Sequence, residues 1–164
     1  MRHFAQRPTF LGLAACTLSA FVATSAQAQS LCTASEKSLF SCEIGRKVLS
    51  VCASKDLDEN KGTLQYRFGT ADKLDLAYPE KADHPKKHFT GNRLYSSVEN
   101  SLIIELEFKR GTTRYTVFTQ ELKGKKAAGV TVNINGKDTE LKCKSTKGTE
   151  DFSDITSLDL PEPK

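Results

Sequence analysis

Short runs in which apolar and polar residues alternate recur along most of this chain, set off by turn-forming residues at intervals of about ten residues. Side chains on a strand point alternately to opposite faces, so each run describes a ribbon with one apolar face. Leu102, Ile104, Leu106 and Phe108 form the clearest stripe, with Glu105, Glu107 and Lys109 on the other face, which is expected to be wet. Phe40, Cys42 and Ile44 alternate in the same way, as do Leu64, Tyr66 and Phe68, then Leu74, Leu76 and Tyr78. Later come Tyr115 and Val117, then Val130, Val132 and Ile134. Asn135-Gly136 follows as a tight-hairpin signal, because both residues accept positive φ, and residues 139–144 make the last strand. No long helical period competes. The pattern predicts an all-β domain, a compact antiparallel barrel or two-sheet sandwich of about eight strands.

The N-terminus has the layout of a secretory signal. Arg2 and Arg7 carry positive charge, residues 10–26 carry none, and Ala26-Gln27-Ala28 offers a small-x-small cleavage site. This divides the chain into a signal peptide over 1–28, one β domain over 29–146 and an acidic, loosely ordered tail over 147–164, with at most one helical turn near Phe152. Residues 29–36 read as a mobile leader. The apolar run is shorter than the roughly 20 residues of a spanning helix, so no transmembrane segment is expected after cleavage. The expected location is the periplasm or the medium. Leu13-Ala14-Ala15-Cys16 has the form of a lipobox, and a lipid anchor on Cys16 is the alternative.

Cysteine usage agrees with export. Of five cysteines, Cys16 leaves with the signal and Cys32, Cys42, Cys52 and Cys143 remain. An even count in an exported chain predicts two disulfides, for which three pairings are open. The preferred one joins Cys42 to Cys143, tying the first strand to the last, and Cys32 to Cys52, pinning the leader to the first hairpin. A structural zinc site is not expected, since no Cys-x-x-Cys occurs and the remaining histidines, His84 and His88, lie far from the cysteines.

Of 24 basic side chains, Arg2 and Arg7 leave with the signal, so 22 stand against 20 acidic ones, a net +2. That is too mild to indicate nucleic acid. No Gly-x-Ser-x-Gly, His-Glu-x-x-His or phosphate loop occurs, so no enzyme, cofactor or metal is expected. His84 and His88 are separated by a proline-containing segment and read as loop histidines. Residues 79–92 are the longest stretch without alternation, and residues 94–96 read as a short edge strand. Long loops on rigid β scaffolds commonly carry recognition. The segment 79–95, with Lys87, His88, Arg93 and Tyr95, is therefore the candidate partner-binding region.

Several motifs carry a resemblance. Phe40-Ser41-Cys42, Gly45-Arg46-Lys47, Val51-Cys52, the run from Leu64 to Gly69, Leu76-Ala77-Tyr78-Pro79, Asn135-Gly136-Lys137 and Leu141-Lys142-Cys143 resemble a group of uncharacterised small exported proteobacterial β-proteins. That group implies no activity. Thr90-Gly91-Asn92-Arg93-Leu94-Tyr95 is similar to the Ser-Gly-x-x-Tyr inhibitory loop of the periplasmic C-type lysozyme inhibitors, with Thr for Ser and one residue more. Those are small β-barrels in which an early and a late cysteine are joined. The resemblance implies a non-enzymatic inhibitor of a cell-wall-degrading enzyme, with Thr90, Gly91, Arg93 and Tyr95 as contact residues. A structural or adaptor protein of the bacterial envelope is the alternative.

Overall fold

The computed structural model describes residues 30–163, so the segment read as a signal peptide, the expected cleavage site and Cys16 lie outside the described residues. Among the described residues, nine strands form two antiparallel meanders. The first sheet is β1 (Glu36–Ile44), β2 (Lys47–Ser54), β3 (Leu64–Gly69) and β4 (Leu74–Asp83), in that order. The second is β5 (Thr90–Ser96), β6 (Ser101–Arg110), β7 (Thr113–Leu122), β8 (Lys125–Ile134) and β9 (Lys137–Lys142). The sheets face each other as a sandwich, and no closed barrel forms. Short 3₁₀ segments lie at Pro85–Lys87 and at Glu150–Ser157.

The alternating stripes become the core. Phe40, Leu49, Val51, Leu64 and Tyr66 of the first sheet meet Ile104, Leu106, Phe108, Val117 and Val130 of the second, all of them buried. Full burial of each such side chain is worth about 1.5–3 kcal/mol over leaving it in water. A bulge between Ser38 and Phe40 lets Leu39 and Phe40 both be buried. Phe108 stacks between Tyr78 (4.4 Å) and Tyr115 (4.8 Å), joining the sheets at the β4 side.

Both disulfides form in the preferred pairing. Cys42 bonds Cys143, 101 residues away, and Cys32 bonds Cys52. Strand parity explains the choice. Cys42 points inward with Phe40, whereas Cys52 follows inward-facing Val51 and points out, where the leader passes. Residues 30–36 of the leader, expected to be mobile, are bonded to the first sheet. Besides the disulfide, Leu31 N–H donates to Ser50 Oγ (3.0 Å) and Leu31 O accepts from Arg67 (2.9 Å).

Arg67 also forks onto Glu36 at 2.7 and 2.8 Å, with both side chains mostly buried (12% and 16% exposed). Burial pushes the Glu36 carboxyl up. The bonds from Arg67 and from the Thr33 backbone and hydroxyl outweigh this and leave it below its ordinary value. The stabilisation is therefore full above the unfolded pKa near ~4.3 and is lost as pH falls through the lower folded value. Arg67→Ala is expected to cost about 3 kcal/mol at neutral pH, by leaving a carboxylate buried and unpaired. Urea unfolding should show the cost shrinking below pH 4 as Glu36 takes up a proton. An unchanged midpoint at neutral pH would show the pair to be energetically idle.

Three segments differ from the expectation. The irregular stretch 79–92 is mostly strand: β4 runs on to Asp83, and β5 begins at Thr90. Pro79 is accommodated because β4 is an edge strand whose register breaks between Tyr78 and Asp83. Thr90, Gly91 and Asn92 have weak strand character of their own but pair with Glu107, Leu106 and Glu105 of the strongest strand. β8 starts at Lys125 rather than near Val130, across a turn in which Lys123 and Gly124 have positive φ (49° and 77°). The tail, expected to be loosely ordered beyond one helical turn, instead packs between the sheets. Phe152, Ile155 and Leu158 are buried, and Phe40 meets Phe152 edge to face at 5.1 Å. An i, i+3, i+6 spacing on a 3₁₀ helix puts those three on one face.

Candidate functional site

The short connection 84–89 carries the chain from β4, an edge of the first sheet, to β5, an edge of the second, at one corner of the sandwich, and the end of the tail crosses β5 there. Gly91 N–H donates to Pro161 O (2.9 Å). Leu160 packs on Gly91 so closely that a Cβ there would lie 3.1 Å from its side chain. Residues 160–162 thus act as a strap over the N-terminal half of the β5 edge. By the alternation of an antiparallel ladder, the outward backbone groups after Gly91 belong to Arg93 and Tyr95. Among the described residues no further chain pairs with them.

Parity divides the expected contact residues. Gly91, Arg93 and Tyr95 lie opposite Leu106, Ile104 and Leu102, on the inner side of the second sheet. Arg93 and Tyr95 nevertheless stay exposed, Tyr95 at 65%, because the smaller first sheet does not reach them. Gly91 and Arg93 line a cleft of ≈ 270 Å³ with Ile155, Asp159, Leu160 and Glu162 of the tail. Leu94 (49% exposed) and Val98 (95% exposed) are also open to solvent on β5 and its turn, Leu94 by strand parity on the face opposite to Tyr95. The sequence reading missed both, as well as the tail residues, since a lone Leu or Val in a polar run carries no signal before its exposure is known.

Thr90 points to the other face, opposite Glu107. Its Oγ1 is the one buried side-chain polar atom without a hydrogen-bond partner among the described residues. Glu107 was expected on a wet face, but it is 9% exposed, covered by Arg114 and Thr116 of β7 and by the corner itself. Both line a second cleft of ≈ 400 Å³ together with Tyr78, His88, Lys109 and Pro161.

Lys87 and His88 are both engaged by Asp83, with Lys87 at the surface. Lys87 Nζ lies 3.1 Å from Asp83 Oδ1, and His88 Nε2 lies 3.1 Å from Asp83 Oδ2. The His88 bond, the His84 N–H and Lys87 together hold the Asp83 carboxyl far below the usual carboxylate range. His84 turns instead towards Asp58 O (3.4 Å), so the two histidines do not converge. Among the described residues no group of His, Cys, Asp and Glu side chains is arranged to hold a metal ion. Nor is any helix there long and apolar enough to cross a membrane. Comparisons with protein-family models, with curated proteins and with solved structures return no match.

Proposed function

We propose that this is an exported, non-enzymatic binding protein that engages a protein partner through β5 and the β5–β6 turn, and that the partner is a cell-wall-degrading enzyme such as lysozyme. The observation that carries this reading is the exposure of Tyr95 and Arg93 on one face of a sheet edge, with Val98 exposed in the adjoining turn. Aromatic and arginine side chains dominate binding hot spots. The unpaired backbone of Arg93 and Tyr95 adds directional hydrogen bonds for an incoming segment. Two disulfides in a domain of this size suit an oxidising compartment, which supports placement in the periplasm or medium. The contact element is an edge strand and hairpin, in place of the long loop that the sequence suggested.

A panel of lysozymes and other wall hydrolases, assayed with the purified protein, tests the reading. Inhibition of at least one is expected, weakened about 30-fold or more by Tyr95→Ala or Arg93→Ala, the size of an ordinary hot spot. A panel without inhibition or binding retires the enzyme partner. Recovery of one recurrent envelope protein, captured through the same two residues, would then favour the adaptor.

A further inference from the structure

The edges of the two sheets are not equally guarded. A bare edge strand is a template for another chain, and proteins blunt it with charge, proline or a covering segment. The β1 edge is covered, since Ser41 N–H donates to Gly148 O and Lys144 N–H donates to Glu43 O. β9 carries Lys137, Asp138, Glu140 and Lys142, and β4 carries Asp75, Pro79, Glu80 and Lys81. β5 has a single charged residue, Arg93, and no proline. The strap bonds it at Gly91, and among the described residues no backbone bond reaches the outward N–H and C=O groups of Arg93 and Tyr95.

We propose that this edge pairs with the same edge of a second copy of the chain, giving a two-fold dimer in which the two five-stranded sheets are joined. Such a contact needs a self-complementary patch. Outward groups pair only with outward groups, which narrows the antiparallel registers. Arg93 opposite Arg93 would set like charges side by side and would call on Gly91, whose N–H is already given to Pro161. Tyr95 opposite Tyr95 would pair Arg93 with Ser97, beyond the end of β5. Arg93 opposite Tyr95 uses both free residues of each copy. In that register each guanidinium meets a tyrosine ring of the other copy, a favourable cross-strand cation–π pair. Leu94 falls opposite Leu94 on the other face, beside Ile103, its neighbour on β6. The other copy's β5–β6 turn, with Val98 95% exposed, comes to the strap end of β5, beside the cleft of ≈ 270 Å³ that Gly91 and Arg93 line. Glu99 of that turn and Glu162 of the strap repel at the rim, where both are exposed and screened by water and salt. The dimer covers the edge assigned above to an enzyme, so the two contacts exclude each other, but the pairing argument does not rest on that assignment.

So short a pairing buries less than a standard interface, and half-dimerisation is expected at roughly 10–100 µM. Sedimentation equilibrium of the purified protein measures it with no enzyme present, so a failure here leaves the enzyme reading to its own assay. Leu94→Lys, at a half-exposed position, is expected to weaken dimerisation about tenfold or more by setting like charges opposite each other. Crosslinking under mild oxidation reads the register. Opposed Cα atoms at position 94 would lie about 4.5 Å apart, so Leu94→Cys should give a covalent dimer. Ser96→Cys would lie roughly 13 Å or more from its copy and should not. In the unmodified protein the Arg93 and Tyr95 amides should gain protection from hydrogen exchange as concentration rises, whereas the Gly91 amide, already bonded, should not. A protein that stays monomeric up to about 1 mM, an unchanged dimer in Leu94→Lys, or crosslinking of Ser96→Cys in place of Leu94→Cys would overturn the proposal. Should Leu94→Lys not fold, the exchange measurement on the unmodified protein decides alone.

Discussion

Replacing Cys42 and Cys143 together by Ala is expected to lower stability by up to about 4.7 kcal/mol, the chain-entropy value for a loop near 100 residues. The crosslink spans 101 residues and joins β1 to the segment just after β9. Without it the unfolded chain regains the freedom of most of the domain, while the folded state loses a crosslink between the sheets. Thermal unfolding should show a drop of roughly 10 °C or more. The Cys32–Cys52 bond closes a separation of only 20 residues, and its removal is expected to cost less. A shift below about 1 kcal/mol for the Cys42/Cys143 pair would mean that the sheets are held by other contacts. The candidates are the backbone bonds from Lys144 N–H to Glu43 O and from Ser41 N–H to Gly148 O.

Phe152→Ala is expected to cost about 3–5 kcal/mol, the range for emptying a buried aromatic site. Phe152 is fully buried against Phe40, and Ile155 and Leu158 share its face. The exposed salt bridges of Lys37 to Asp151 and Asp154 cannot compensate, since surface pairs contribute about 0–1 kcal/mol. Urea unfolding followed by far-ultraviolet circular dichroism measures the loss, and hydrogen exchange shows whether it is global. A tail that detaches alone would lose protection over residues 147–163 with the strands unchanged, and the substitution would then barely move the global midpoint. That outcome would make the tail an accessory strap. The expected outcome makes it part of the core.

Much of the fold was legible because strand alternation is a local property. The stripes on β1, β3 and β6 were visible from side-chain order alone, and Asn135-Gly136 marked its hairpin through the positive φ that both residues adopt (53° and 82°). The disulfide pairing was favoured from chain order, and the opposite parity of Cys42 and Cys52 explains it. The β4–β5 corner was not legible. Pro79 and the Thr90-Gly91-Asn92 run argue locally against strand, and only an edge position for the first and a strong neighbour for the second reverse that. Of the candidate contact residues, Arg93 and Tyr95 share a face, Thr90 takes the other, and Lys87 and His88 are held by Asp83. Glu107 looked like a wet-face residue because its burial comes from neighbours on β7 and at the corner.

The all-β class, most of the strand positions and an even set of cysteines fit for an oxidising compartment are readable from the order of residues alone. These depend on residue order within about ten positions and on composition. Tertiary structure decided that the sheets remain a sandwich of four and five strands and that the tail completes its core. It also decided that Arg93 and Tyr95 stay outside while Thr90 and Glu107 are enclosed. Those outcomes rest on contacts such as Cys42 with Cys143, 101 residues apart, and Phe40 with Phe152. No local pattern encodes such contacts, because they form only once both sheets offer a surface to close upon.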